Sequence, residues 1–154
     1  MSGPYRHILL PTDGSTVAER AVAAGIDLAR ALGARVTAVH VIPDRAEPSL
    51  DTWAHDDAAF PRKLDRILEK RGAMFLETVR EAALRAGVQC ECRLERGVTP
   101  HQGIIAAARD VECDLIVMAS HGEKGGDGTV LGSETVKAAT LGPVPVLVHR
   151  QPIG

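Results

Sequence analysis

Short apolar runs alternate along this chain with longer segments of helical periodicity, and this alternation limits the folds that it can adopt. The connecting segments are long enough for helices, and each ends before the next apolar run begins. The order β-α-β-α-β-α-β-α-β predicts an α/β fold with a parallel sheet and right-handed crossovers. The predicted strands cover residues 7–10, 35–42, 88–95, 114–118 and 145–149.

Residues typical of helix ends mark the helical segments. Thr16 and Glu19 have the spacing of a capping box, and Gly33 suits the position just after that helix. Pro61 is predicted to open a long second helix, and Gly87 to end it. A third helix is predicted to begin at the sequence Thr-Pro-His-Gln of residues 99–102, and a short fourth one covers 133–141.

Two of the predicted strands differ in how their apolar residues are arranged. Residues 114–118 (DLIVM) are almost continuously apolar, which is typical of a strand buried on both faces. Residues 88–95 alternate strictly, so one face is predicted to be wet and the strand to lie at or near a sheet edge.

Composition narrows the function classes. Only 3% of the 154 residues are aromatic, so the core must be aliphatic, and proteins that stack nucleic-acid bases on several rings are disfavoured. The net charge of −2 makes nucleic acid or an anionic membrane surface an unexpected partner. With no repeat and no linker in the sequence, we expect one domain over residues 1–154.

The cysteines and the apolar runs bear on the cellular compartment. Three cysteines are too few for a disulfide framework, and Cys90-x-Cys92 lacks a second ligand pair at zinc spacing, so structural thiols are expected. No run reaches the ~18 apolar residues of a membrane span, and the amino-terminal run is too short for a signal peptide. We therefore expect a cytoplasmic protein without a membrane span.

A glycine-rich segment follows the fourth predicted strand and leads into the fourth helix. Gly122 and Gly132 would let backbone N–H groups approach an anion, and Ser133 adds a hydroxyl at a helix N-terminus, where phosphate is favoured. A flexible connection would have the same composition, so both interpretations stay open. The glycines of this segment are Gly122, Gly125, Gly126, Gly128 and Gly132.

Two known phosphate motifs are absent from the glycine-rich segment. It contains no Gly-Lys-Ser/Thr, which excludes a Walker-type loop, and its glycine spacing and place in the chain do not fit the dinucleotide fingerprint. Asp13, in the loop after the first strand, is positioned to accept from a ribose hydroxyl or an adenine amine. Its alternative role is an Asx-type turn, in which the side chain accepts from the backbone.

Taken together, these motifs resemble the universal stress protein family of the UspA type. Nucleotide-binding members carry G-x2-G-x9-G-[ST] after the fourth strand, and this chain has Gly122, nine residues, then Gly132 and Ser133. The resemblance extends to ILLPTDGS, AVHVIP, DLIVMASHG and PVPVLVHR, so it covers essentially the whole chain. Ala119 stands where the family motif has its first glycine.

The resemblance implies a fold and a ligand. The fold is a five-stranded parallel sheet of order 3-2-1-4-5, with helices on both faces. The ligand is ATP, ADP or AMP, with any Mg²⁺ held mainly by the phosphates. Asp13 and the backbone of Val41 would hold the adenosine part, and Gly122, Gly132 and Ser133 the ribose and phosphates. The remaining pocket residues would be Pro11, Thr12, Met118, Ala119 and Glu134.

The function that follows is a nucleotide-dependent regulatory dimer in the stress response. The resemblance implies pairing of two copies through the last strand, by Val144, Val146 and Val148. A slow ATP hydrolase and a ligand-free dimeric scaffold are the alternatives, although PTDGS matches neither loop of the related enzymes and no nucleophile–base pair is visible. His40 and His121 are interpreted as structural residues.

Overall fold

A computed structural model describes residues 3–43, 60–121 and 131–150 of the chain. Its strands are β1 (His7–Pro11), β2 (Arg35–Pro43), β3 (Cys90–Gly97), β4 (Leu115–Ala119) and β5 (Val146–His149). All neighbouring strands pair in parallel, and the sheet order is β3-β2-β1-β4-β5. Both the α/β class and the order 3-2-1-4-5 are thereby confirmed.

Helices cover both faces of this sheet. In the described part of the chain they are α1 (Thr16–Leu32), α2 (Phe60–Arg85), α3 (Pro100–Val111) and α4 (Ser133–Leu141). One core joins α1 and α2 to alternate residues of the sheet such as Ile8 and Leu10, and a second joins α3 and α4 to Leu9 and Ile116. Burying each such aliphatic side chain contributes roughly 1.5–3 kcal/mol, which offsets the entropy lost on folding.

Strands β1 and β4 are the most buried part of the sheet. Every residue of β4 is buried, as its continuous apolar sequence predicts, and so are His7 to Leu10 of β1. Asp114, just before β4, accepts from the backbone N–H of Arg6 and of His7, at 2.9 and 3.0 Å. This contact ties the start of β4 to the start of β1.

Helix α1 begins one residue earlier than the capping box predicts. Its N-cap is Ser15, whose Oγ accepts from the N–H of Ala18 at 3.2 Å, so Thr16 is already inside the helix. At the other end Gly33 adopts a left-handed conformation with φ 68°, which glycine takes without strain. The prediction for the C-terminus was therefore right, and the one for the N-cap was wrong by one position.

Strand β3 lies at a sheet edge, as predicted, but its bounds and exposure differ from the expectation. It covers Cys90–Gly97 and not 88–95. Cys92 and Leu94 are exposed although they lie on the face turned toward α2, because this edge is only partly covered. Arg93 and Glu95, on the face predicted to be wet, are half-buried and form an ion pair at 2.7 Å.

None of the helices in the described ranges is long and apolar enough to cross a membrane.

Candidate functional site

A cleft opens at the carboxyl edge of the sheet, between the ends of β1 and β4. Here the chain order reverses, because β1 leads outward to β2 and β3 before the chain returns to β4 on the other side. Open parallel sheets bind ligands at such a point. The cleft has a volume of about 160 Å³ and a mainly aliphatic lining. The lining residues are Pro11, Thr12, Asp13, Ala18, Val39, His40, Val41, Pro100, Ile104, Met118, Ala119, His121, Glu134 and Thr135.

The loop after β1 forms one wall and is held by its own hydrogen bonds. Thr12 Oγ1 accepts from the N–H of Gly14 at 3.1 Å, and Asp13 Oδ1 accepts from the N–H of Ser15 at 2.9 Å. Gly14 has φ 78°, and a Cβ there would lie 2.3 Å from the ring of Phe75, so the position requires glycine on both counts. The Asx turn of Asp13 thus exists, and it leaves the residue in the cleft lining.

Strand β2 runs past the end of β1 and turns backbone groups toward the cleft. The last register pair between the two strands is Pro11 with Val39, and the Val39 carbonyl accepts from the N–H of Thr12 at 2.9 Å. In a parallel ladder, residues two apart direct their N–H and C=O to the same side. The N–H and C=O of Val41 therefore point to the same side as those of Val39. Because β1 has already ended at that level, a ligand could form hydrogen bonds with these groups.

His40 supports the loop after β1 from the opposite face of the sheet. Its Nδ1–H donates to the Thr12 carbonyl at 2.8 Å, and its ring meets that of Phe75 edge-on, with centroids 5.3 Å apart. Phe75 in turn packs on Gly14. The ring of Phe75 on α2 therefore contacts the loop that carries Asp13 in two ways. It packs directly on Gly14, and it packs on the His40 imidazole that donates to Thr12.

The start of α4 forms the wall on the side of β4. Gly132 is the N-cap of α4, and its N–H donates to the Ser120 carbonyl at 2.7 Å. The following N–H groups of the first helical turn are those that a helix N-terminus offers to an anion. Thr135 Oγ1 donates to the Ala119 carbonyl at 2.9 Å and so fixes this turn against the end of β4.

Glu134 connects the two helices that flank the cleft. Its Oε2 accepts from the backbone N–H of His101 at 2.7 Å and from the imidazole Nδ1–H of the same residue at 2.8 Å. Thr99, the N-cap of α3, makes no side-chain capping bond, so Glu134 satisfies an N–H of the first turn of α3 in its place. The carboxylate is thereby held inside the cleft wall.

Comparison with known proteins places this architecture in a family. The sequence model of the universal stress protein family matches residues 4–150 of this chain. The chain belongs to the universal stress protein family. A universal stress protein of Thermus aquaticus is 34% identical to it over 150 residues, which cover 95% of this chain and 99% of the relative.

Solved structures of this family share the fold. Universal stress protein UspA from Lactobacillus plantarum is 25% identical, with a TM-score of 0.75 over 95% of this chain and 98% of that one. A universal stress protein in complex with cAMP is also 25% identical, with a TM-score of 0.70 over 96% and 99% of the two chains.

Most of the residues predicted for the site of this universal stress protein lie together. The cleft is lined by Pro11, Thr12, Asp13, Val41, Met118, Ala119 and Glu134. Gly132 and the exposed Ser133 stand at the start of α4, adjoining the lining residue Glu134. Gly122 and the other glycines of residues 122–130 lie outside the described residues.

Ala119, which replaces the first glycine of the family motif, is accommodated without backbone strain. Among the described residues other than glycine, only Glu112 has a positive φ, so Ala119 does not require the conformation that glycine favours. Its side chain is buried and its carbonyl is held by Thr135. The added methyl group therefore changes the shape of the cleft and not the path of the chain.

Several lining residues were missed from the sequence. Val39 was recoverable, because it is two residues before Val41 on the same face of β2. Pro100 and Ile104 lie at the start of α3, and nothing local indicates that this helix begins at the cleft. Ala18 and Thr135 line the cleft from the first turns of α1 and α4. His40 and His121 were interpreted as structural; both border the cleft, and His40 has a structural contact with the Thr12 carbonyl.

The cysteines take no part in the cleft. Burial raises the pKa of Cys90 to about 12 and that of Cys113 to about 11, so both thiols stay protonated at neutral pH. Within the described ranges, no three His, Cys, Asp or Glu side chains are grouped closely enough to hold a metal ion.

Proposed function

We propose that this universal stress protein binds an adenine nucleotide in the cleft, with ATP bound as its magnesium complex, and that occupancy regulates a dimer. The observation that carries the proposal is the cleft's composition and place: an aliphatic slot at the strand-order reversal, with Asp13 on one side and the start of α4 on the other. A family member of similar structure, crystallised with cAMP, supports an adenine ligand.

Each part of the ligand has a matching group in the cleft. Val39, Ile104 and Met118 supply apolar surface for the adenine ring, and the backbone of Val41 offers it hydrogen bonds. Asp13 accepts from the ribose hydroxyls. The N-terminus of α4, with Ser133, receives the phosphates, together with Gly122 outside the described residues. Mg²⁺, when bound with ATP, offsets phosphate charge and is held mainly by phosphate and water oxygens.

Gly132→Val tests this phosphate position. A Cβ at Gly132 would lie 3.2 Å from His121 Cα and 3.3 Å from the Ser120 carbonyl oxygen, so even one carbon is tight and a branched side chain must displace the start of α4. Titration calorimetry with ATP and Mg²⁺ is expected to show saturable binding to the unmodified protein and none to the variant.

Ala139→Val is the matched control, because Ala139 is exposed farther along the same helix. This variant should bind ATP as the unmodified protein does. Equal affinity of the Gly132→Val variant would contradict the phosphate position. If the unmodified protein binds neither ATP, AMP nor adenosine, the ligand-free scaffold is the correct interpretation.

A further inference from the structure

We propose that Glu134 makes the cleft select against free polyphosphates, so that in the absence of divalent cations adenosine and AMP bind in preference to ATP. This inference rests on the proposed function, because it concerns which adenine compounds the same cleft accepts. It assigns Glu134 as a specificity-determining residue whose charge acts on the phosphate end of the ligand.

The carboxylate of Glu134 is fixed in place by its partners. One oxygen, Oε2, accepts both the backbone N–H and the Nδ1–H of His101, at 2.7 and 2.8 Å. His101 is itself buried, with 8% of its surface exposed, so it is a rigid anchor. The N-cap residue of α3, Thr99, makes no side-chain capping bond. Rotation of Glu134 into solvent would therefore leave the N–H of His101 without its carboxylate partner, which opposes that movement.

The position of Glu134 brings its charge close to where phosphates are proposed to bind. It is the second residue of α4, directly after Ser133, and it lines the same cleft as Asp13. Among the described lining residues, the acidic side chains are these two carboxylates, and none is Lys or Arg. The described walls of the cleft therefore present negative charge to an incoming ligand.

The consequence depends on the charge of the ligand. Like charges a few ångströms apart repel, and the repulsion is greater at a partly buried site than in bulk water. Adenosine carries no charge, AMP carries less than ATP, and a divalent cation offsets much of the charge of ATP. A fixed carboxylate thus favours the uncharged or lightly charged compounds, and it makes ATP binding depend on the cation.

The test measures dissociation constants of adenosine, AMP and ATP by calorimetry, in buffer with a chelator and no divalent cation. We expect Glu134→Gln to tighten ATP binding on the order of tenfold, while adenosine changes by less than about twofold, because only the charged ligand feels the lost carboxylate. Glu81→Gln, an exposed site on α2, removes the same charge elsewhere and should leave all three constants unchanged.

A second variant separates charge from structure. Glu134→Asp keeps the negative charge but shortens the side chain, so it weakens the contact with His101. If charge sets the selectivity, this variant keeps the ratio of ATP to adenosine affinity within about threefold of the unmodified protein. If loss of the helix cap were the cause, Glu134→Asp would shift that ratio more than Glu134→Gln, whose amide oxygen can still accept from the N–H of His101, and the inference would be wrong.

The remaining outcomes distinguish the inference from the function on which it rests. An unchanged ratio in Glu134→Gln, with adenosine still bound, overturns the selectivity and leaves the adenine site standing. Failure of the unmodified protein to bind any of the three compounds overturns both. Stronger binding of ATP than of adenosine to the unmodified protein without cations also contradicts the selectivity.

Discussion

His7, on β1, shows how a single buried group makes stability depend on pH. Only 6% of its surface is exposed, and its Nε2 lies 2.7 Å from Thr37 Oγ1. Burial first, and the positive charge of Arg35 second, lower the pKa of His7 below its ordinary value of 6.5. The folded protein therefore takes up the proton at a lower pH than the unfolded chain does.

The expected result is a loss of unfolding free energy as the pH falls from about 6.5 toward the lowered pKa of His7, because the unfolded chain binds the proton first. Below that pKa both states are protonated, and this contribution stops changing. Urea denaturation at a series of pH values measures it. His7→Gln can still bond to Thr37 but does not titrate, and it should flatten the dependence. His149→Gln, at the sheet edge, is the control for replacing a histidine elsewhere. If the unfolding free energy of His7→Gln depended on pH as steeply as that of the unmodified protein, the assignment to His7 would be wrong.

For single residues, the sequence was more informative about which residues line the cleft than about the side-chain contacts between the elements that form it. Asp13 could be placed at the cleft because it follows a predicted strand on the carboxyl side of the sheet, whereas the backbone of Val41 was placed there by the family resemblance. The contact of Glu134 with His101 could not be predicted, since the two residues are 33 positions apart and on different helices. No local pattern reports which side chain caps a helix from another part of the chain.

The N-terminus of α1 gives a test at the scale of one element. Ser15 Oγ accepts from the N–H of Ala18, whereas Thr16, predicted to be the cap, is the first residue inside the helix. We expect Ser15→Ala to lower the free energy of unfolding by about 1 kcal/mol, through loss of the cap. Thr16→Ala should change it by less than about 0.5 kcal/mol, as for exposed substitutions without such a role. Denaturant unfolding of both variants measures the difference, and equal losses would contradict the cap at Ser15.

The predictions for helix and strand ends were wrong in two kinds of place. One is where two neighbouring residues could both be the N-cap, and the other is where helices cover a strand unevenly. Ser15 and Thr16 are both good caps, so the sequence alone leaves the helix start open by one position. The alternation of residues 88–95 correctly predicted an edge strand, but exposure there is decided by how far α2 and α3 reach over β3. Half-burial of Arg93 and Glu95 follows from their ion pair beside α3, where Asp110 also contacts Arg93 at 3.1 Å.

For the molecule as a whole, alternation predicted the parallel α/β class, and the resemblance supplied the strand order. Right-handed crossovers are compatible with several orders of five strands, so no local signal distinguishes 3-2-1-4-5 from the others. The continuous apolar sequence of β4 did indicate a strand buried on both faces, and the burial of all its residues confirms it.

The open edge of β5 is where the resemblance implies that two copies pair. The carbonyls of Pro145 and His149 accept from backbone N–H groups of Ile116 and Ser120, at 3.0 and 3.1 Å, so these positions face β4. Since alternate residues of a parallel ladder face opposite ways, Val146 and Val148 direct their N–H and C=O outward. Leu147 of β5 is an exposed apolar side chain, and so are Val136 and Leu141 of α4, the helix that precedes this strand.

Val146→Pro therefore tests dimer formation without disturbing the inner ladder. Proline removes the outward N–H of Val146, whereas the bonds between β5 and β4 use the residues on either side. We expect light scattering to give the monomer mass of 16.3 kDa for this variant and twice that mass for the unmodified protein. Val146→Thr keeps both the N–H and the β-branched shape, so it should remain dimeric. A dimer that persists in Val146→Pro would mean that the copies pair elsewhere, because a strand edge that has lost a central donor cannot form the same ladder with a second copy.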